Sequence, residues 1–160
     1  MAASAANRTN TTIDAIEYLA YDIAASTHIY QFTNVCFDAS GNLVQASDTS
    51  GLQFAGMARR EADNSAGSAG ALQAEVIPPN ELGCVEMIAA SPSNVWLDKI
   101  VCFVDDTTVA LSAGSGSGTV ATTNDIRCGR CIQILDTSAT GKVLVDTRDR
   151  FAYPAANANR

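Results

Sequence analysis

Between Leu52 and Val109, turn signals cut the chain into four short apolar segments, and this spacing constrains the fold more than any other feature. The first segment, Leu52 to Ala58, ends in Arg59-Arg60-Glu61 and a Gly/Ser/Asn loop, Asp63 to Gly70. The second, Ala71 to Ile77, alternates and stops at Pro78-Pro79. The third, Leu82 to Ala89, runs into Ser91-Pro92-Ser93, and the fourth, Ile100 to Val104, breaks at Asp105-Asp106. Strand, turn, strand, turn is the order of an antiparallel β module. No catalytic constellation is visible in it.

The flanking residues extend the pattern. Asn34 to Phe37 and Leu43 to Ala46 enclose Asp38-Ala39-Ser40-Gly41-Asn42, which predicts a hairpin, because Asp, Gly and Asn supply positive φ and local side-chain hydrogen bonds. His28 to Gln31 is a short apolar run. Gly56, inside the Leu52 to Ala58 segment, predicts a bulge or a close backbone approach. Leu72, Ala74 and Val76 alternate with Gln73 and Glu75, as a half-buried strand requires. Asn94 to Lys99 is read as one helical turn carrying the only tryptophan, Trp96. Thr108 to Leu111, Ile126 to Leu135 and Lys142 to Thr147 are further strands, and Ser112 to Gly118 is a Gly/Ser loop. The expectation is an all-β fold: a small antiparallel β-barrel or sandwich of about nine short strands, with turn signals every eight to twelve residues or so.

The N-terminal end is ambiguous. Residues 1–11 are Ala, Ser, Asn and Thr with little to bury. From Thr12 to Ala25, Ile13, Ile16, Leu19, Ala20, Ile23 and Ala24 fall at helical spacing behind Thr11 or Thr12 as N-cap, yet the tyrosines and isoleucines also suit a strand. The chain therefore divides into an extended or partly helical arm (1–28), a β-barrel domain (29–147) and a C-terminal tail (148–160). The arm is too apolar for a solvated tail and needs a surface to lie on.

Composition removes several classes of function. At 160 residues the chain is long enough for one domain with an adequate core. The net charge of −7, with basic residues scattered, argues against nucleic acid, whose affinity comes mainly from Lys and Arg, and against anionic membranes. No apolar stretch is long enough to span a bilayer. The opening MAASAANRTNTT lacks a basic region followed by an apolar one, so no secretory signal is expected. Of the five cysteines, three lie in apolar strand-like runs, and buried free thiols are the favoured reading over a disulfide framework.

The remaining chemical motifs are weak. Cys128-Gly129-Arg130-Cys131 has the spacing of a redox pair, but its flanks read as strand. In a regular strand residues three apart face opposite sides, so only a bulge at Gly129 would bring the thiols together. Zinc needs four ligands, and only this pair and one histidine exist. His28 carries no nucleophile motif around it, the Gly-rich stretches lack a phosphate-loop pattern, and Asp105-Asp106 reads as a capped turn rather than a cation site. No cofactor, metal or catalytic residue is expected, and the protein is read as a non-enzyme.

The order of elements resembles a known family. The run THIYQFTNVCFDASGNLVQASDTSGLQFAGMARREADNSAGSAG, then LQAEVIPPNELG, WLDKIVCFVDDTTVAL and RCGRCIQILDTSATGKVLVDT, is similar to the small phage capsid decoration (cement) proteins. The matching signals are the Asp38 to Gly41 turn, Gly56-Met57-Ala58, the Ala62-Asp63-Asn64 loop, Asp98 to Val109, Gly129 to Asp136 and Gly141 to Val145. The resemblance covers residues 27–147 and rests on the order of turns. It departs from the family in its Cys-rich penultimate strand and its long Tyr-rich arm.

The resemblance implies a β-barrel on the outside of an icosahedral head, made in the host cytoplasm. It would bind the major capsid protein, and its own copies as a trimer around a local threefold. On that reading the contacts come from the arm, through Ile13, Ile16, Tyr18, Leu19, Tyr21 and Ile23. They come also from a threefold-facing loop, either Asp63 to Gly70 with Asp63 and Asn64 or Ser112 to Gly118 with Ser115 and Ser117. The rival reading is a non-enzymatic β domain that binds carbohydrate or a host cell surface. It would need exposed aromatic platforms, and aromatics are only 6% of the chain.

Overall fold

The structure is a computed structural model and describes residues 18–112 and 121–149. Its strands, in chain order, are β1 (Leu19–Asp22), β2 (Thr27–Ile29), β3 (Asn34–Phe37), β4 (Leu43–Gln45), β5 (Gln53–Ala58), β6 (Ala62–Asn64) and β7 (Gln73–Ile77). They continue with β8 (Cys84–Ala89), β9 (Ile100–Phe103), β10 (Thr108–Ser112), β11 (Ala121–Thr122), β12 (Arg127–Asp136) and β13 (Gly141–Asp146). One short helix, α1 (Pro79–Leu82), and two 3-10 turns, Asn94–Trp96 and Thr147–Asp149, complete the described residues. The all-β expectation holds, and the predicted turn around Trp96 is present.

The strands form two curled sheets rather than one. The first has the order β1-β7-β5-β3-β4. Just past β1, Ile23 bridges in parallel to Leu43 of β4, and the Ala24 amide donates to the Leu43 carbonyl, so this sheet bends round on itself. The second has the order β11-β10-β8-β13-β12-β9, and β9 pairs again with β10. Five strands, β10-β8-β13-β12-β9, therefore close into a barrel with no open edge between β9 and β10. The small β2–β6 ladder stands apart from both.

Each sheet has its own core. Val101, Phe103, Val109, Leu111, Val143 and Val145 belong to the barrel core, joined by Cys36 and Phe54 from the first sheet. Phe54 and Phe103 meet at 4.8 Å between ring centroids, and this contact welds the two halves. A fully buried Val, Leu or Phe contributes about 1.5–3 kcal/mol by leaving water. The opposite face of the first sheet closes over Ile23, Ile29, Val35, Leu43 and Val76. Successive residues of β3, Val35 and Cys36, thus serve different cores, as strand alternation dictates.

Polar contacts fix the join. The Asn34 side-chain amide donates to the Asp106 carbonyl at 2.8 Å, and the Asp48 carboxylate accepts from the Thr123 and Asn124 amides at 2.7 Å each.

Three expectations need correction. Residues 19–28 are not an arm outside the domain: β1 pairs with β7 from Leu19↔Val76 to Asp22↔Gln73, and Ile23 is fully buried. Of the helix and the strand left open for this stretch, the strand is found, over Leu19–Asp22, where its tyrosine and leucine pack on the pleated face. The sheets are not wholly antiparallel, since β10 runs parallel to both β8 and β11. The described strands number thirteen rather than nine, because β2, β4, β6 and β11 are too short to leave a period in the sequence. At the other end, Thr147 belongs to the fold: its hydroxyl donates to the Pro79 and Gly83 carbonyls.

Candidate functional site

The predicted contact residues fall into three groups. Ile13, Ile16, Ser115 and Ser117 lie outside the described residues. Tyr18, Leu19, Tyr21 and Ile23 follow one another into the first sheet. Tyr18 is exposed, with the Arg59 guanidinium 4.2 Å above its ring. Tyr21 is half-buried, edge-on to Phe37 at 4.8 Å. Ile23 has no surface to offer a partner, because the bridge to Leu43 points it into the core.

Asp63 and Asn64 part company. Asp63 is exposed, and its carboxyl is held below the usual range by hydrogen bonds from Ser65 and by nearby His28. Asn64 is buried, and its amide donates to the Ala24 and Ser68 carbonyls at 2.9 Å each. Asn64 therefore organises the loop from within and does not present itself to a neighbour. Gly67 is obligatory beneath it, since a Cβ there would come within 1.9 Å of Asn64 Oδ1.

His28 is held by acids. Its Nε2 lies 2.7 Å from Glu61 Oε1 and its Nδ1 3.9 Å from Asp63 Oδ1, while its ring stacks on Tyr30 at 4.1 Å. Among the described residues no hydroxyl or thiol hydrogen-bonds to it, so a histidine-activated nucleophile has no partner in place.

Both cysteines of the pair face inward: the β12–β9 register slips between Arg127 and Gly129, and Cys128 and Cys131 are fully buried. The thiols that act on Cys128 are those of Cys102 and Cys36. Burial pushes the thiols of Cys36 and Cys102 up to about 12, that of Cys128 well above its ordinary value, and that of Cys131 upward too. A redox or nucleophilic thiol needs the opposite, a stabilised thiolate in a polar setting. Cys84 is the exposed one. Among the described residues no group of three or more His, Cys, Asp or Glu is placed to hold a metal ion. No helix there is long and apolar enough to cross a membrane.

Two surface features were not anticipated from the sequence. The first is apolar. Val95, Leu97, Ile132 and Leu135 are all exposed, at 58, 40, 44 and 43%. They sit on adjoining segments, tied by the Asp98 amide donating to Cys131 O and the Cys131 amide donating to Lys99 O. Ile132 and Leu135 are the extra residues of two bulges in β12, and each bulge turns its residue outward.

The second is a groove of about 550 Å³ between the β2 segment, the end of β4 and the Asp105-Asp106 turn. Tyr30 lines it, 49% exposed, and Phe32, 61% exposed, stands on the same turn. Phe32 holds φ +60°, a left-handed conformation that costs a bulky residue about 1–2 kcal/mol. The signal in the sequence was the pair of aromatics flanking Gln31, with no partner strand for either.

No protein-family model, no curated protein and no solved structure matches the chain.

Proposed function

We propose that the protein is a structural virion component that binds the outer surface of an icosahedral phage head and stabilises it by bridging major capsid protein subunits. What carries this reading is the resemblance of the sequence's order of turn signals, from the Asp38 to Gly41 turn to the Gly141 to Val145 segment, to that of the small decoration proteins. The surface supports it physically. Val95, Leu97, Ile132 and Leu135 put four exposed apolar side chains on neighbouring segments of one barrel, and apolar surface gathered in this way marks interaction sites. Tyr18 is exposed where the chain enters β1, and the sequence just before it holds Ile13 and Ile16, apolar residues of the kind that a neighbour's surface takes up. Self-association as a trimer at a local threefold belongs to the same proposal. Weak contacts repeated over a shell sum to strong attachment through effective concentration.

The test is rebinding. Purified protein mixed with heads lacking it is expected to sediment with them and to raise their resistance to heat. Protein without residues 1–17 is expected to stay folded and to bind less.

A further inference from the structure

We propose that the groove beside Tyr30 is a binding site for a neutral saccharide, of a size to take one or two sugar rings. The site is separate from the head-binding reading, and either can fail without the other.

At about 550 Å³ the groove is wide and open, as sugar sites are, rather than a closed apolar pocket. One of its walls is an aromatic ring. Tyr30 lies against His28 on one face, at 4.1 Å and 27° between planes, and is 49% exposed. His28 is itself fixed through Glu61, so the platform is preorganised and loses little freedom on binding. The electron-rich face of such a ring attracts the polarised C–H groups of a pyranose.

The polar groups around the ring decide the ligand's charge. Asp105 is already engaged: its Oδ1 accepts from the Thr107 amide, the Thr107 hydroxyl and the Thr108 amide. Glu61 is committed to His28, and Asp63 to Ser65. What else lines the groove is mostly uncharged: the Gln45 side-chain amide, which has no hydrogen-bond partner among the described residues, the Ser47 hydroxyl, which pairs with that of Thr49, and the Thr27 hydroxyl, which donates to the Ala25 carbonyl and keeps its oxygen as an acceptor. Asp106 is half-buried, and burial with Asp105 beside it disfavours its charged form. A cation would find most of the nearby carboxylates spoken for. A polyol finds an amide that donates and accepts, hydroxyl oxygens that accept, and a carboxyl oxygen to receive its O–H groups. The strained turn at Phe32 is consistent with this, since backbone outliers that hold side chains out to solvent collect at binding sites.

The test is a titration of the isolated protein, followed by backbone and side-chain amide NMR, with methyl glucoside, methyl galactoside, methyl N-acetylglucosaminide, maltose and cellobiose as probes. The expected result is saturable shifts for at least one sugar at Thr27, Tyr30, Gln45 and Ser47, with a Kd of about 1 mM or tighter. Tyr30→Ala is expected to weaken binding tenfold or more, and Gln45→Ala severalfold, with the unligated spectra otherwise unchanged. No saturable shift with any of these sugars overturns the proposal. So do shifts confined to another surface, or binding that survives both substitutions. A saturable response at the same residues to N-acetyl-arginine amide and to none of the sugars overturns it in favour of a basic side chain.

Discussion

Gly56 backs directly onto Ile77. A Cβ on residue 56 would lie 2.1 Å from the Ile77 carbonyl oxygen and 2.8 Å from a Val76 methyl, and the residue holds φ +139°. On its other edge β5 carries a bulge, with Ala55 unpaired between Phe54 opposite Cys36 and Gly56 opposite Val35. Gly56→Ala is therefore expected to cost about 3 kcal/mol, combining strain with overpacking. A thermal melt would show this as a fall in Tm of roughly 6–12 °C. An unchanged Tm would mean that the two strands do not approach as described.

Asn64 supports the loop that follows it. Replacing it by alanine leaves the Ala24 and Ser68 carbonyls without their donor. The expected loss is about 2–3 kcal/mol, read by chemical denaturation. Asp63→Ala, at the exposed neighbour, is expected to stay within about 0.5 kcal/mol.

The thiols give a chemical fingerprint. With a disulfide-exchange reagent near pH 8, Cys84 is expected to react promptly, while Cys36, Cys102, Cys128 and Cys131 react only on unfolding. Cys84→Ser should abolish the fast phase. The same burial sets a pH dependence. Cys36 and Cys102 keep their protons to about 12 in the fold, whereas the unfolded chain loses them from 9.0 upward. The folded state then binds more protons than the unfolded one, so stability is intact below pH 9.0 and falls as pH rises from 9.0 toward 12. The slope is about 1.4 kcal/mol per pH unit for each such thiol. Cys36→Ala with Cys102→Ala should reduce it, leaving the share that the buried Cys128 and Cys131 contribute.

The position of β1 predicts where truncation stops being harmless. Removing residues 1–17 leaves the described fold untouched, and its Tm is expected to move by less than about 2 °C. Removing residues 1–25 takes away β1 and the buried Ile23, uncovers Val76, and should unfold the first sheet or lower Tm by more than about 10 °C. Circular dichroism melts of the two shortened proteins separate these outcomes.

Local chemistry was legible and closure was not. The Asp38 to Gly41 turn, the β3–β4 hairpin, the alternation of β7 and the close approach at Gly56 all follow from residues within a few positions of each other. Whether a sheet curls shut depends on pairs far apart in the chain, such as Ile23 with Leu43 or Arg130 with Ile100, and a single sequence carries no mark of them. The bulges hid the apolar patch for a related reason. Alternation predicts Ile132 and Leu135 on opposite faces, but each bulge adds a residue and resets the count. The Tyr30 groove was hidden because its walls come from three separate turns.

The most direct measurement of the proposed role is co-sedimentation of the purified protein with undecorated phage heads. The account predicts saturable binding at a fixed number of copies per head. It also predicts a weaker signal when Leu97 and Ile132 are both changed to serine in protein that still melts normally. Protein that stays in the supernatant at every concentration, while folded and intact, would contradict it.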